Sequence, residues 1–186
     1  MTIDDWLYLR DMSNAENKRF QFNVNSGNAG ATNDWEDDQF DFAEMFEWSD
    51  GNPDNEDRIG HTVAVDGLTG KIKIAESGDT VIGVVSGTAA FTANCAGLGW
   101  HDKYERDEWG RYIWVEKTRI DGTKGTQFKV NSAFDATKEY VKREDRKEWD
   151  KIGIIGQCYV RKTAVIPSSW VKLKEIDSTK DFYLIK

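Results

Sequence analysis

The chain has 186 residues, a formal net charge of −8, 12% aromatic residues, two Cys and two Pro. That length suits one domain with a real core, and the aromatic content excludes general disorder. The acidic balance argues against a nucleic-acid partner, and no apolar run nears the roughly 20 residues of a membrane span.

The N-terminus, MTIDDWLYLRD, is acidic and has neither the basic region nor the apolar region of a signal peptide. WLYL (6–9) and FQFNV (20–24) read as short strands, the second with alternating apolar and polar residues. SGNAGATN (26–33) reads as a flexible linker and sets a boundary between an N-terminal arm, 1–33, and a domain, 34–186. Within residues 34–57, DWEDDQFDFAEMFEWSDGNPDNED, eleven carboxylates and five aromatic rings stand together without one Lys or Arg.

GHTVAVDG, GKIKIAES and DTVIGVVSG follow as three short strands between DG, TG and SGD turns, the spacing of antiparallel pairing. AAFTANCAGLGW (89–100) is rich in small residues and reads as a loop or one short helix. WGRYIWVEKTRI and DGTKGTQFKVN form a hairpin about Asp121-Gly122. KEYVKREDRKEW (138–149) is charged and reads as an exposed segment or short helix, whereas IGIIG (152–156) suits a strand buried on both faces. WVKLK and FYLI supply two last strands. Eight to ten strands in all give a mainly β fold (β-rich α+β): a compact domain of short antiparallel strands with few short helices, preceded by a short N-terminal arm.

Cys95 and Cys158 read as free, buried thiols of a protein made in the cytosol rather than as a disulfide framework. The P-loop, dinucleotide-binding, nucleophile-elbow, zincin and CxxC motifs are all absent. His61 and His101 read as structural. DGNPDNED places Asp50, Asn52 and Asp54 as a calcium loop would, but Asn55 stands where that loop needs Gly and His61 where it needs Glu, so it reads as an acidic turn. No metal and no cofactor are expected.

Asp41, Glu44 and Glu47 recur every third residue among Phe42, Met45, Phe46 and Trp48. On a helical turn Asp41 and Glu44 share a face. In an extended chain they point to opposite faces, with Phe42, Glu44 and Phe46 on one side. If the rings are buried, a carboxyl is drawn into low dielectric and keeps its proton nearer neutral pH. A protonated acid with an ionised partner can hydrolyse a peptide: one activates water while the other protonates the oxygen or the leaving nitrogen.

A longer pattern accompanies these acids. DFAEMFEWSDGNPDNEDRIGHTVAVDG, IGVVSG, Trp100 with KYERDEWGR, EYVKREDRKEWDKIGIIGQCYVRK and WVKLKEIDSTKDFYLIK occur in fixed order from about Asp41 to the end. This series resembles the intramolecular-chaperone autoproteolytic cleavage domain, the second family of glutamic peptidases, found at the C-terminus of phage neck-appendage, tail-spike and tail-fibre proteins. The resemblance implies a homotrimer that helps three stalk chains fold and then cuts itself off. It implies a virion protein assembled in the host cytoplasm, with other tail or virion proteins as partners and no nucleic acid or membrane.

The family cuts before the Asp of an Asp-(Tyr/Phe)-Ala-Glu motif, here Asp41-Phe42-Ala43-Glu44, which implies a scissile bond at Phe40–Asp41 with Asp41 and Glu44 as the acid/base pair. Glu47, Arg58, Lys103, Arg106 and Arg111 are supporting candidates. Family members carry a small residue before the Asp, whereas this chain has Phe40. Only forty residues precede Asp41, so either an excised domain or a standalone phage protein is expected. The alternative function is a non-cleaving trimeric virion protein, a fibre tip or capsid decoration protein, with the same fold. Trp109 and Trp114 would suit a carbohydrate-binding head, but read more simply as core or trimer contacts.

Overall fold

A computed structural model describes residues 39–95 and 103–186 in full, and the backbone of three strands nearer the N-terminus. The chain divides into two units, 1–38 and 39–186. In the first, β1 (Trp6–Asp11), β2 (Asn14–Asn23) and β3 (Ala29–Ala31) form an antiparallel sheet in that order. The WLYL and FQFNV runs fall on β1 and β2, apart from Val24, which lies outside the described residues. The linker expected at 26–33 is corrected at its centre, because Ala29, Gly30 and Ala31 pair with Phe22, Gln21 and Phe20. Small side chains leave a backbone free to close a ladder along an open strand edge. The rest of that linker, and residues 34–38 of the acidic run, lie outside the described residues.

The second unit is built on one eight-stranded sheet. Its strands are β4 (Asp41–Glu47), β5 (Thr62–Val65), β6 (Ile72–Ile74), β7 (Val81–Val85), β8 (Ala89–Ala93), β11 (Trp149–Arg161), β12 (Val171–Glu175) and β13 (Lys180–Ile185). The order is β12-β13-β11-β7-β5-β6, with β4 added on β11 and β8 on β4. All pairs are antiparallel except β4 with β8. The fold is therefore mainly β, and the helix among the described residues is one turn of 3-10 helix at Arg143–Asp145.

The three runs after the acidic segment become β5, β6 and β7 as expected. Val84 and Val85, consecutive on β7, point to opposite faces and are both buried. Val85 packs with Trp48, Val63, Ile72 and Ile152. Val84 packs with Cys158, Val160 and Ile185. The sheet is thus covered on both faces here, and each such aliphatic side chain contributes about 1.5–3 kcal/mol by leaving water.

Two expectations are corrected. Residues 89–93 form β8 rather than a loop or helix, because its backbone joins the open edge of β4. IGIIG is buried only at Ile152 and Gly153, while Ile154 and Ile155 are exposed. The reason is a register shift between Gly153 and Ile155 against β4, and such a bulge turns the following side chains outward. The charged 138–149 segment is mostly exposed and holds a short helix, as expected, except that Arg143 is buried, with its guanidinium over Trp149 at 4.0 Å.

The Asp121-Gly122 hairpin forms as expected, from β9 (Trp114–Thr118) and β10 (Lys124–Phe128), with Gly122 at φ +82°. Trp109 and Trp114 are exposed rather than core, Trp114 lying against Phe128 with ring centroids 4.3 Å apart. Both cysteines are free, Cys158 buried and Cys95 only partly so.

Candidate active site

The site is assembled at the start of β4. Asp41, Ala43 and Met45 point into the protein and Phe42 points out. Period-two geometry explains the choice: Met45 is among the largest fully buried side chains, and its parity carries Asp41 inward with it. The result is a carboxyl with no solvent exposure.

Oδ1 of Asp41 accepts from Ser86 Oγ at 2.8 Å and from Thr88 Oγ1 at 3.3 Å. Among the described residues Oδ2 has no hydrogen-bond partner of good geometry. Its neighbour is the Cys158 thiol, a weak donor. Burial holds the Asp41 carboxyl above the usual carboxylate range, and the Ser86, Thr88 and Cys158 contacts only partly oppose it. Burial also pushes the Cys158 thiol far up, helped by the adjacent carboxyl. The pocket therefore shifts the Asp41 carboxyl toward its protonated form.

Two glycines of β11 make room. A Cβ at Gly153 would lie 2.6 Å from Asp41 Oδ2, and one at Gly156 would lie 2.7 Å from the Phe40 carbonyl oxygen and 2.8 Å from Asp41 Cα. Gly156 has φ +120°, a conformation open to glycine. The peptide bond between Phe40 and Asp41 is thus pressed against bare backbone. Phe40 N donates to Thr88 O at 3.0 Å, and Gln157 N donates to Phe40 O at 3.1 Å. The Phe40 ring packs edge-on against Phe182 and Tyr159, at 5.6 and 6.4 Å.

Glu44 leaves β4 on the outer face with Phe42, as the extended-chain alternative requires, so one chain does not bring it to Asp41. Phe42 there meets Phe91 of β8, with rings 6.1 Å apart, and is paired with Ile155 of β11. Phe42, Phe91 and Ile155 are all more than half exposed.

The supporting candidates lie elsewhere in the chain. Glu47 pairs with Lys71 at 2.7 Å. Arg58 is buried, forks onto Asp50 at 3.0 and 2.7 Å, bonds Glu56 and covers the Trp48 ring at 4.5 Å. That fork holds the Asp50 carboxyl below its usual range and closes the DGNPDNED turn, where Asn52 and Asn55 take positive φ. Lys103 lies over the Tyr104 and Phe134 rings, Arg106 over Tyr112, and Arg111 pairs with Asp107. Among the described residues no three His, Cys, Asp or Glu are grouped to hold a metal, and no helix is long and apolar enough to cross a membrane.

Ser86, Thr88, Gly153, Gly156, Gln157 and Cys158 are absent from the sequence-based candidates. Their signal is faint: VVSGT and GIIGQC look like ordinary strand ends until pairing brings both to Asp41.

The model of the family Peptidase_G2, IMC autoproteolytic cleavage domain, matches residues 6–182. The chain belongs to this family. The Peptidase_G2 match extends well upstream of Asp41, where the sequence resemblance begins. Over 121 residues the chain is 38% identical to the preneck appendage protein of Bacillus phage PZA and 37% identical to the pre-neck appendage protein of Bacillus phage phi29. Each match covers 65% of this chain and 14% of the relative, so the chain spans about a seventh of the length of these curated relatives.

Two solved structures carry the same Peptidase_G2 fold. The pre-mature bacteriophage phi29 gene product 12 matches with a TM-score of 0.78 and 26% identity, over 92% of this chain and 25% of that one. The C-terminal fragment of phi29 gene product 12 matches with a TM-score of 0.62 and 28% identity, over 78% of this chain and all of the fragment.

Proposed function

We propose that the chain is the chaperone domain of a phage tail spike or neck appendage, which joins three copies and then cuts itself once between Phe40 and Asp41. The observation that carries this reading is the buried Asp41 carboxyl, one oxygen unpartnered, directly after a peptide bond whose carbonyl is fixed by Gln157 N–H. The relatives are neck-appendage proteins of phages, and this chain has a virion location with them. A cut at this bond leaves residues 41–186, close to four-fifths of the chain. The phi29 C-terminal fragment matches a similar share, 78%.

In the chemistry, a glutamate takes one proton from water as its oxygen adds to the Phe40 carbonyl carbon. Gln157 N–H stabilises the oxygen that gains charge. The Asp41 carboxyl gives its proton to its own main-chain nitrogen as the C–N bond breaks. A Phe40 carboxyl and an Asp41 amine result. Tethering supplies the effective concentration that lets so few groups suffice. Since Glu44 leaves β4 on the other face, the glutamate acting at each bond is the Glu44 of a neighbouring copy. Cutting thereby reports assembly. The exposed row Ile155–Phe42–Phe91 beside Glu44 is the face on which that copy sits.

The second reading is a non-cleaving trimeric virion protein, favoured by the separation of Asp41 from Glu44 within one chain. Intact mass of the purified protein separates the two. Cleavage gives a fragment beginning at Asp41 that disappears in Glu44→Gln. A single species at 21.2 kDa under conditions where the protein is trimeric overturns self-cleavage.

A further inference from the structure

The loop between β7 and β8 grips both residues that flank the Phe40–Asp41 bond. On one side, Thr88 O accepts from Phe40 N at 3.0 Å. On the other, the hydroxyls of Ser86 and Thr88 reach Asp41 Oδ1. The loop is anchored in turn, because Ser86 N donates to Lys151 O at 2.8 Å. Nothing in the sequence marks Ser86, which stands in a common strand-ending turn.

The directions of these bonds can be assigned. Ser86 Oγ accepts from Thr88 N–H at 3.1 Å. A serine hydroxyl has one hydrogen, and the 2.8 Å bond to Asp41 uses it. With the Ser86 hydrogen on that bond, the relay runs from Thr88 N–H to Ser86 Oγ and from Ser86 O–H to Asp41 Oδ1. Oδ1 already receives two hydroxyl donors and has no room for a proton of its own directed at them. A neutral Asp41 must carry its proton on Oδ2, the oxygen without a good partner.

We propose that Ser86 is a positioning residue for self-cleavage, which fixes the rotation of the Asp41 carboxyl and keeps its transferable proton on Oδ2. The inference rests on the self-cleavage reading above but adds to it. Asp41 gives up the proton, and Ser86 decides which oxygen carries it. A carboxyl free to rotate would offer the proton from either oxygen, whereas one held by Ser86 and Thr88 offers it from Oδ2 alone. Gly153 supports the same orientation, since the space a side chain there would fill is the space of Oδ2.

The test is a time course of the 41–186 fragment in the full chain, for wild type, Ser86→Ala, Ser86→Thr and Thr88→Val. Thermal midpoints show that each variant is folded. Ser86→Ala is expected to slow cleavage roughly 10- to 100-fold. Ser86→Thr, which keeps the hydroxyl, restores most of the rate. Thr88→Val, which loses only the longer bond, has a smaller effect. A folded Ser86→Ala variant that cuts at the wild-type rate overturns the positioning role and leaves self-cleavage standing. An uncut wild type overturns both.

A second measurement is independent of turnover. In a Glu44→Gln background, carbon-13 NMR follows the titration of the Asp41 carboxyl. Cys158 on β11 is the titratable side chain packed against it, and Ser86 and Thr88 are the neutral donors. Ser86→Ala is expected to raise the Asp41 midpoint, because a donor to the ionised form is lost. An unchanged midpoint overturns the assigned bond. Should Ser86→Ala not fold, Thr88→Val gives the same two readouts with the same signs.

Discussion

Gly153 and Asp41 interlock: the Cβ that glycine lacks would stand 2.6 Å from Asp41 Oδ2 and 3.0 Å from Cys158 Sγ. Neither neighbour can retreat easily, since Asp41 and Cys158 are both fully buried. Gly153→Ala is therefore expected to destabilise the domain by about 1–3 kcal/mol through overpacking. Urea denaturation of the variant in an uncleaved Glu44→Gln background reads the loss. An equal midpoint would mean that the pocket is looser than described.

The charge state of Asp41 sets a second expectation. Its folded pKa is raised above the ordinary 3.8 by burial. Below the ordinary value the carboxyl is neutral in both states and costs nothing. As pH rises from the ordinary value to the raised folded value, the folded state holds a proton that the unfolded state has lost, and stability falls until the folded value is passed. Asp41→Asn removes the titration. Compared in a Glu44→Gln background, the Asn variant should gain on its parent as pH rises above the ordinary 3.8 and through the raised folded value. A stability difference that is flat across this range would show that Asp41 is not held neutral.

Arg58 makes the opposite kind of contribution. Its buried guanidinium forks onto Asp50, whose pKa it lowers, and covers Trp48. Arg58→Ala should cost about 2 kcal/mol near neutral pH, the scale of charge-assisted hydrogen bonds plus lost packing. The gap between wild type and variant should narrow as pH falls through 3.8 and below, because Asp50 takes up its proton and the fork loses its charge. Arg58→Lys should recover little of the loss, since an ammonium cannot form the fork.

Much of the sheet could be read from residue order alone. The strands at 62–65, 72–74 and 81–85 and the hairpin about Asp121-Gly122 are marked by their turn residues. Strand β8 was hidden because its evidence is a pairing partner and not a periodicity: Ala89–Ala93 joins β4 in parallel across forty-odd residues. The orientation of β4 was hidden for a related reason. Its rings leave open which face is buried, and Met45 decides it: its burial carries Asp41 and Ala43 inward and leaves Phe42 outside. Asp41 and Glu44 could be singled out, but the pocket around Asp41 could not. Ser86, Gly153 and Gly156 acquire meaning only when β7, β4 and β11 are brought together.

The outer face of β4 offers a test of assembly. Phe42 is 57% exposed and Phe91 58%, so charging one of them should leave the fold within about 0.5 kcal/mol of wild type. If the proposed trimer joins through this face, Phe42→Lys should shift the protein from trimer to monomer in sedimentation velocity. A trimer that survives this substitution would move the interface elsewhere on the protein.

Whether Glu44 acts within its own chain or across to a neighbour can be decided by mixing. In the proposed mechanism, Glu44→Gln chains keep the Asp41 acid and an intact bond but lack the base. Asp41→Asn chains keep Glu44 but cannot supply the proton. Neither should cut alone. Unfolded together and refolded as mixed assemblies, they bring an intact Glu44 beside an intact Asp41 only at contacts between copies. The Glu44→Gln chains should then be cut at Phe40–Asp41, with a yield that follows the fraction of mixed assemblies, while the Asp41→Asn chains stay whole. The strand geometry requires this outcome if Glu44 is the base, because residues three apart on β4 project to opposite faces. Mass spectrometry with one variant isotopically labelled identifies which chain is cut. If refolded mixtures stay intact while wild type cuts, Glu44 is not acting from a neighbour.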